Sequence, residues 1–129
     1  MTPPEAASDR AEPGDVLLFH VVVEAEWARA TDQYTPESLA TEGFIHFSTR
    51  RQIAATLNRF YAGRAGLTLL AVPSSAVEEF LRWERAVDVD DVFPHVYGPL
   101  RKDVVVTVVP VHPDDDGVFR EPLVVDDIG

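Results

Sequence analysis

The sequence predicts one α+β domain with a mixed or mainly antiparallel sheet and a few short helices. Apolar, β-branched runs at 16–23, 67–72 and 104–111 read as buried strands. The stretches of helical periodicity between them are short. Several links are too short to carry crossover helices, which argues against a doubly wound parallel sheet. A length of 129 residues gives room for one domain of ordinary size, with no repeat and no second domain.

The elements follow in order. Residues 1–14 carry Pro3, Pro4, Pro13 and Gly14 among small polar groups and read as a flexible lead-in. The folded domain is expected over 15–121, with an acidic tail over 122–129. Val16 to Val23 is a strand, and Glu24 to Ala30 favours a short helix. Thr35-Pro36-Glu37 places a capping hydroxyl, a first-turn proline and a first-turn acid in the preferred order, so a second short helix should end near Gly43. Phe44 to Ser48 reads as a strand running directly into a helix capped by Thr49. That helix carries an apolar stripe at Ile53, Leu57, Phe60 and Tyr61 and stops at Gly63. Leu67 to Val72 is the next strand, closed by Pro73. Ser74 or Ser75 caps a helical turn through Phe80, and Leu81 to Val87 is extended. Val104 to Val111 is expected as a central strand, entered through Gly98-Pro99. Asp114 to Gly117 is a turn, and Leu123-Val124-Val125 reads as a short edge strand.

Composition narrows the function. Hydrophobic residues at 46% and charged residues at 26% are ordinary for a globular domain and exclude general disorder. No apolar run approaches the ~18–20 residues of a membrane span. The chain has no cysteine, so it offers no disulfide and no thiolate metal site. The first 15 residues lack the basic start and apolar centre of a signal peptide, and a cytoplasmic location is expected. Eleven basic against twenty-two acidic residues give a net charge of −11, which argues against gripping duplex nucleic acid. Between Gly43 and Val72 there is no acid, yet Arg50, Arg51, Arg59 and Arg64 all fall there. A basic segment inside an acidic protein suggests a local site for a small anion such as phosphate; the alternative is a solvated helix face.

Strand alternation would put Phe44, His46 and Ser48 on one face and Ile45 and Phe47 on the other. His46 and Ser48 would then stand just ahead of a helix N-terminus, which attracts anions through free N–H groups and the helix dipole. Arg50 and Arg51 occupy the first turn, where the dipole disfavours cations. They fit best with an anion held between them and the backbone, and otherwise point into solvent. His20, inside an apolar strand, reads alone as a hydrogen-bonded core residue. His95 lies in an extended loop stiffened by Pro94 and Pro99 and shares a face with Tyr97. Trp83-Glu84 pairs either a stacking platform with an acid or a core anchor with a surface charge. His112 and Asp114 to Asp116 read as a solvated turn. The histidines lack helical His-x-x-x-His spacing and a carboxylate at a recognisable interval, so no metal is expected and a zinc-dependent hydrolase is the least favoured reading. No nucleophile elbow, dinucleotide fingerprint or phosphate-binding loop occurs.

Gly43-Phe44-Ile45-His46-Phe47-Ser48, Arg59-Phe60-Tyr61-x-Gly63, Trp83-Glu84 and Phe93-Pro94-His95-Val96-Tyr97-Gly98-Pro99-Leu100 occur in this order. Together they resemble the small bacterial family known as domain of unknown function 952, over roughly Val16 to Phe119. The resemblance implies an ADP-ribosyltransferase-like fold, a split β-sheet cleft that holds NAD in enzymatic members. It implies that His20 contacts a ribose hydroxyl and that His46 and Ser48 support a ribose or phosphate, as in NAD-dependent RNA phosphotransferases. Glu84 is the nearest match to a catalytic glutamate. Val21-Val22 stands where active transferases carry Gly-Thr, which suits a kept cleft with a changed ligand.

The resulting expectation is a domain binding NAD or a related phosphorylated nucleotide in a His-lined cleft, with ADP-ribosyl or phosphate transfer as its possible chemistry. His20, His46 and Glu84 would be catalytic, and Ser48, Arg50, Arg51, Tyr61, Trp83, His95 and Tyr97 would bind ligand. The alternative is a non-catalytic module for a nucleotide or small anion. Everything depends on His20, His46 and His95 converging. The sequence leaves the oligomeric state open.

Overall fold

In the computed structural model, which describes residues 15–120, the central feature is a strand without a polar face. β1 (Leu17–Val23) and β4 (Leu67–Pro73) pair antiparallel, and β8 (Thr107–Val111) pairs with the other side of β4, giving the order β1-β4-β8. Residues 67–72 are all buried. A run apolar at every position but Thr68, itself buried, suits a strand covered on both sides. Leu67, Leu69 and Ala71 join Phe19, Val21, Ile53, Leu57, Val111 and Phe119 in one core, against α3 (Arg50–Phe60). Leu70 and Val72 join Leu18, Val22, Tyr34, Ile45, Phe47, Val96 and Leu100 in a second core on the opposite face.

That second core is covered by two further sheets. β3 (Ile45–His46), β6 (Asp91–Val96) and β5 (Leu81–Ala86) form an antiparallel sheet in the order β3-β6-β5. β2 (Gln33–Tyr34) and β7 (Leu100–Arg101) make a two-residue antiparallel ladder. The helices α1 (Glu24–Arg29) and α2 (Glu37–Thr41) bury no residue of their own. A 3-10 turn over Ser74–Phe80 links β4 to β5.

The expected α+β class, the strands β1, β4 and β5 and the helices all occur close to their expected places. α3 follows Thr49, and Gln52 reaches back so that its Oε1 accepts from Thr49 N–H at 3.0 Å. α2 departs in detail: Pro36 holds the cap position and makes no side-chain cap bond, so the Thr35 hydroxyl does not cap it.

Two expectations are corrected. The strand expected over Val104 to Val111 is shorter, and it is an edge rather than a centre. Lys102–Val104 forms a 3-10 turn, and Pro110, which has no N–H to donate, suits only an edge strand. The segment around His95, expected as an extended loop, is instead the middle strand of its sheet. Pro94 still serves the ladder through its carbonyl, which accepts from Phe47 N–H at 3.1 Å.

The last described segment is pinned to α3. Asn58 donates to the Phe119 carbonyl and accepts from its N–H, both at 2.7 Å. The Asp114–Gly117 turn closes as expected, with Gly117 N–H on the Asp114 carbonyl at 2.8 Å. Gly117, at φ 84°, backs onto Gly63, and a Cβ there would meet the Gly63 Cα at 3.3 Å. The expected lead-in over 1–14, the edge strand at Leu123 to Val125 and the acidic tail over 122–129 lie outside the described residues.

Leu70 is fully buried in the middle of the central strand. Leu70→Ala should therefore cost about 2–5 kcal/mol, seen as a lower urea midpoint at unchanged slope. Val87→Ala, at a position 97% exposed, should stay within about 0.5 kcal/mol of the wild type.

Candidate functional site

The alternation along β3, β6 and β5 sorts their side chains onto two faces. Ile45 and Val96 are cross-strand partners and point into the core. His46 pairs with His95, and His95 pairs with Arg82, so these three share the opposite, outward face. Glu84, two residues along β5, lies on the same face. Phe44 and Tyr97 flank it just beyond β3 and β6.

The two imidazoles sit edge to face, with centroids 5.4 Å apart and planes at 74°. Each is backed by a carboxylate. His95 Nδ1 lies 2.7 Å from Glu84 Oε1, and His46 Nε2 lies 3.1 Å from Glu42 Oε1. An ionised carboxylate only accepts, so neutral His95 carries its proton on Nδ1 and neutral His46 on Nε2. In their neutral forms the two would be opposite tautomers, with the lone pairs on His95 Nε2 and His46 Nδ1. Glu84 Oε1 also accepts from the Tyr97 hydroxyl at 2.6 Å. The Tyr97 bond, followed by the His95 bond, holds the Glu84 carboxyl below its ordinary range. The same bond to Glu84 pushes the Tyr97 phenol up. Phe44 stacks on His95 at 4.1 Å, and the Arg82 guanidinium lies 4.7 Å above the Tyr97 ring. The result is an aromatic floor carrying two oriented imidazoles and one cation. His46 is the open member, with a side chain 52% exposed, and His95 is the sheltered one.

His20 does not join this face. It is buried, its Nδ1–H donates to the His46 carbonyl at 2.6 Å, and its Nε2 accepts from the Tyr34 hydroxyl at 2.9 Å. Burial lowers its pKa from 6.5 to about 4, so it is neutral near pH 7. With both nitrogens bonded, the imidazole has no position left for a ribose hydroxyl or a shared metal ion. Of the three histidines, His46 and His95 meet on this face, and the His20 ring lies behind it against the His46 backbone.

Ser48 also leaves the face expected for it. It is buried, its Oγ bonds Thr56 Oγ1 at 3.0 Å, and its backbone pairs with Phe19 of β1. Pairing with β1 rather than β6 turns the chain away after His46. Arg50 lies over the Phe19 ring at 5.7 Å, and Arg51 reaches the Asp91 carboxylate at 3.2 Å. Arg59 pairs with Asp88 at 2.7 Å, and Arg64 covers Tyr61 at 5.6 Å. The acid-free segment thus borrows acids from the turn ahead of β6 and from its first residue. Tyr61 packs against the first core, and alternation along β5 puts Trp83 on the face opposite Glu84.

Phe44 as a stacking ring, Glu42, Arg82 and Tyr34 were not singled out in the sequence. Arg82 and Glu84 carry a period-two signal along a strand. Their meeting with His95 depends on a register that local sequence does not encode. A shallow hollow at Thr31, Asp32, Gln33, Arg101, Lys102 and Asp103 lies elsewhere. Its two cations are already engaged, since Arg101 bonds Asp103 and Lys102 Nζ bonds the Ala30 carbonyl at 3.0 Å. Among the described residues no three His, Asp or Glu side chains are grouped as metal ligands. Among them, too, no helix is long and apolar enough to cross a membrane.

The family model described as "Protein of unknown function (DUF952)" matches residues 21–108. The chain belongs to the DUF952 family. Phe44, His46, Glu84, His95 and Tyr97 lie inside the matched span, and His20 lies one residue before it. The crystal structure of protein CC0527 from Caulobacter crescentus is 32% identical, with 88% of this chain and 97% of that one covered at a TM-score of 0.74. A double mutant of CC0527 gives 32% identity and a TM-score of 0.73 over the same coverage. The solution structure of CC0527 gives 33% identity, with coverage of 86% and 95% and a TM-score of 0.70. This DUF952 chain and CC0527 therefore share one fold over nearly their whole length. A search of curated proteins finds no match.

The neutral burial of His20 makes stability depend on pH. Its folded pKa lies below its unfolded one, so the unfolded chain takes up the proton first as pH falls. The stabilisation is complete above pH 6.5 and is lost as pH falls from there to about 4. Between pH 7 and pH 5 the loss should be about 2 kcal/mol, measured by urea unfolding. A folded His20→Asn protein should lose that increment from its pH profile.

Proposed function

We propose that this domain binds the ribose–phosphate part of a phosphorylated nucleotide on the His46–His95 face, with NAD and ADP-ribose as the first ligands to test. On this reading the scaffold is an ADP-ribosyltransferase-like split sheet that has kept a nucleotide site. The observation that carries the proposal is the pair of imidazoles, each anchored by a carboxylate, on an outward face between Phe44 and the Arg82–Tyr97 pair. Two oriented imidazoles can bond neighbouring hydroxyls or phosphate oxygens. Phe44 and Tyr97 supply apolar and stacking area, and Arg82 offsets the surrounding acid.

The residues fit a nucleotide on that face better than the usual NAD pose beside the first strand. There, His20 has both nitrogens bonded and is followed by Val21-Val22, which keeps a cofactor off the backbone. Arg51 and Arg59 already pair with Asp91 and Asp88, so Arg82 is the cation best set to meet a phosphate. Binding without turnover is thus the reading the geometry supports best.

Transfer chemistry is the second reading, and Glu84 favours it. Its carboxyl is held below the ordinary range by Tyr97 and His95, so it is charged near pH 7 and could stabilise a developing ribosyl cation.

Calorimetric titration of ADP-ribose and NAD should give binding in the micromolar range, and His46→Ala should weaken it about tenfold or more, near 1.4 kcal/mol. Absence of binding at millimolar concentration of both would reject the proposal. Release of nicotinamide from NAD, lost in Glu84→Gln, would move transfer ahead of simple binding.

A further inference from the structure

We infer that His20 and Tyr34 are positioning residues, which fix the backbone of His46 and through it the direction of its imidazole. The inference rests on His46 being the exposed ligand-contacting group of the proposed site.

The geometry follows from the pairing of β3 with β6. Phe47 N–H donates to the Pro94 carbonyl at 3.1 Å, and the register continues as His46↔His95 and Ile45↔Val96. In an antiparallel ladder hydrogen-bonded and non-hydrogen-bonded pairs alternate, so His46↔His95 is a non-hydrogen-bonded pair. Two consequences follow. The side chains of such a pair approach more closely, which brings the imidazoles together. The His46 N–H and carbonyl also point away from β6, and β3 is the edge of its sheet.

A short stretch of β1 partly fills that open side. Phe19 and Ser48 exchange both backbone bonds at 2.8 Å. Two residues back along that edge, no strand among the described residues pairs with His46 on the side away from β6. The His20 imidazole takes that place, with Nδ1–H on the His46 carbonyl at 2.6 Å. The carbonyl can only accept, so the proton sits on Nδ1, and the Tyr34 hydroxyl donates to the lone pair on Nε2 at 2.9 Å. Tyr34 and Phe47 close around the ring, each with its centroid 5.4 Å away. The imidazole thus acts as a rung between two sheets, and the exposed His46 ring projects from the backbone it holds.

The test reads the tautomer first and the ligand second. Long-range proton–nitrogen correlation spectra should show His20 protonated on Nδ1 and not titrating from about pH 5.5 to 8. The same sample should show a nuclear Overhauser contact between the His46 and His95 rings. His20→Leu should erase that contact and weaken ADP-ribose binding roughly tenfold or more. His20→Asn, whose amide can donate to the same carbonyl, should restore both in part. Tyr34→Phe should keep the fold and the proton on Nδ1, which the His46 carbonyl fixes, while leaving Nε2 without its donor and loosening the ring contact. Finding the His20 proton on Nε2 in the wild type, or titration in that range, overturns the inference. So does a folded His20→Leu protein that keeps the ring contact. If the wild type binds no ADP-ribose, the ligand reading falls, and the tautomer and ring contact still decide the role of His20.

Discussion

Ile45 to Ser48 must satisfy two sheets at once, and the rest of the arrangement depends on that double pairing. Ile45 and His46 pair with β6, while Ser48 pairs with Phe19 of β1. Within four residues the chain crosses from one sheet to the other and then enters α3. The apolar positions, Ile45 and Phe47, anchor the crossing in the second core. The polar positions divide according to which sheet they meet. His46 faces outward beside His95, and Ser48 turns inward to Thr56.

The features legible in the sequence are those fixed by near neighbours. β1 and β4 declare themselves by apolar runs broken only by His20 and Thr68, since both are covered on two sides. α3 declares itself by its cap, its stripe and its glycine stop. Features set by long-range pairing were not legible. Pro94 argues locally against a middle strand, yet β6 is one. The two-residue ladder of Gln33–Tyr34 with Leu100–Arg101 carries no periodic signal, although it buries Tyr34 beside His20.

The candidate site divides along the same line. His46, Glu84, His95 and Tyr97 were visible as residue types in short motifs, and the fold unites them. His20 was visible too, but its burial beneath β3 depends on a contact 26 positions away along the chain. The arginines of the acid-free segment show the converse error. Charge counted along a window overlooks acids delivered from elsewhere, and Asp88 and Asp91 come from the turn ahead of β6 and from its first residue. A local excess in sequence is no measure of local potential in space.

Pro94 has a mechanical consequence. It accepts from Phe47 but has no N–H to return, so the short junction of β3 with β6 is held by fewer rungs than its length allows. The paired imidazoles stand on that thin junction, whereas the long β1–β4 ladder lies deep in the core. Compliance is therefore concentrated under the paired imidazoles and stiffness behind them. Small adjustments of ring separation would cost little there, and the scaffold would scarcely register them.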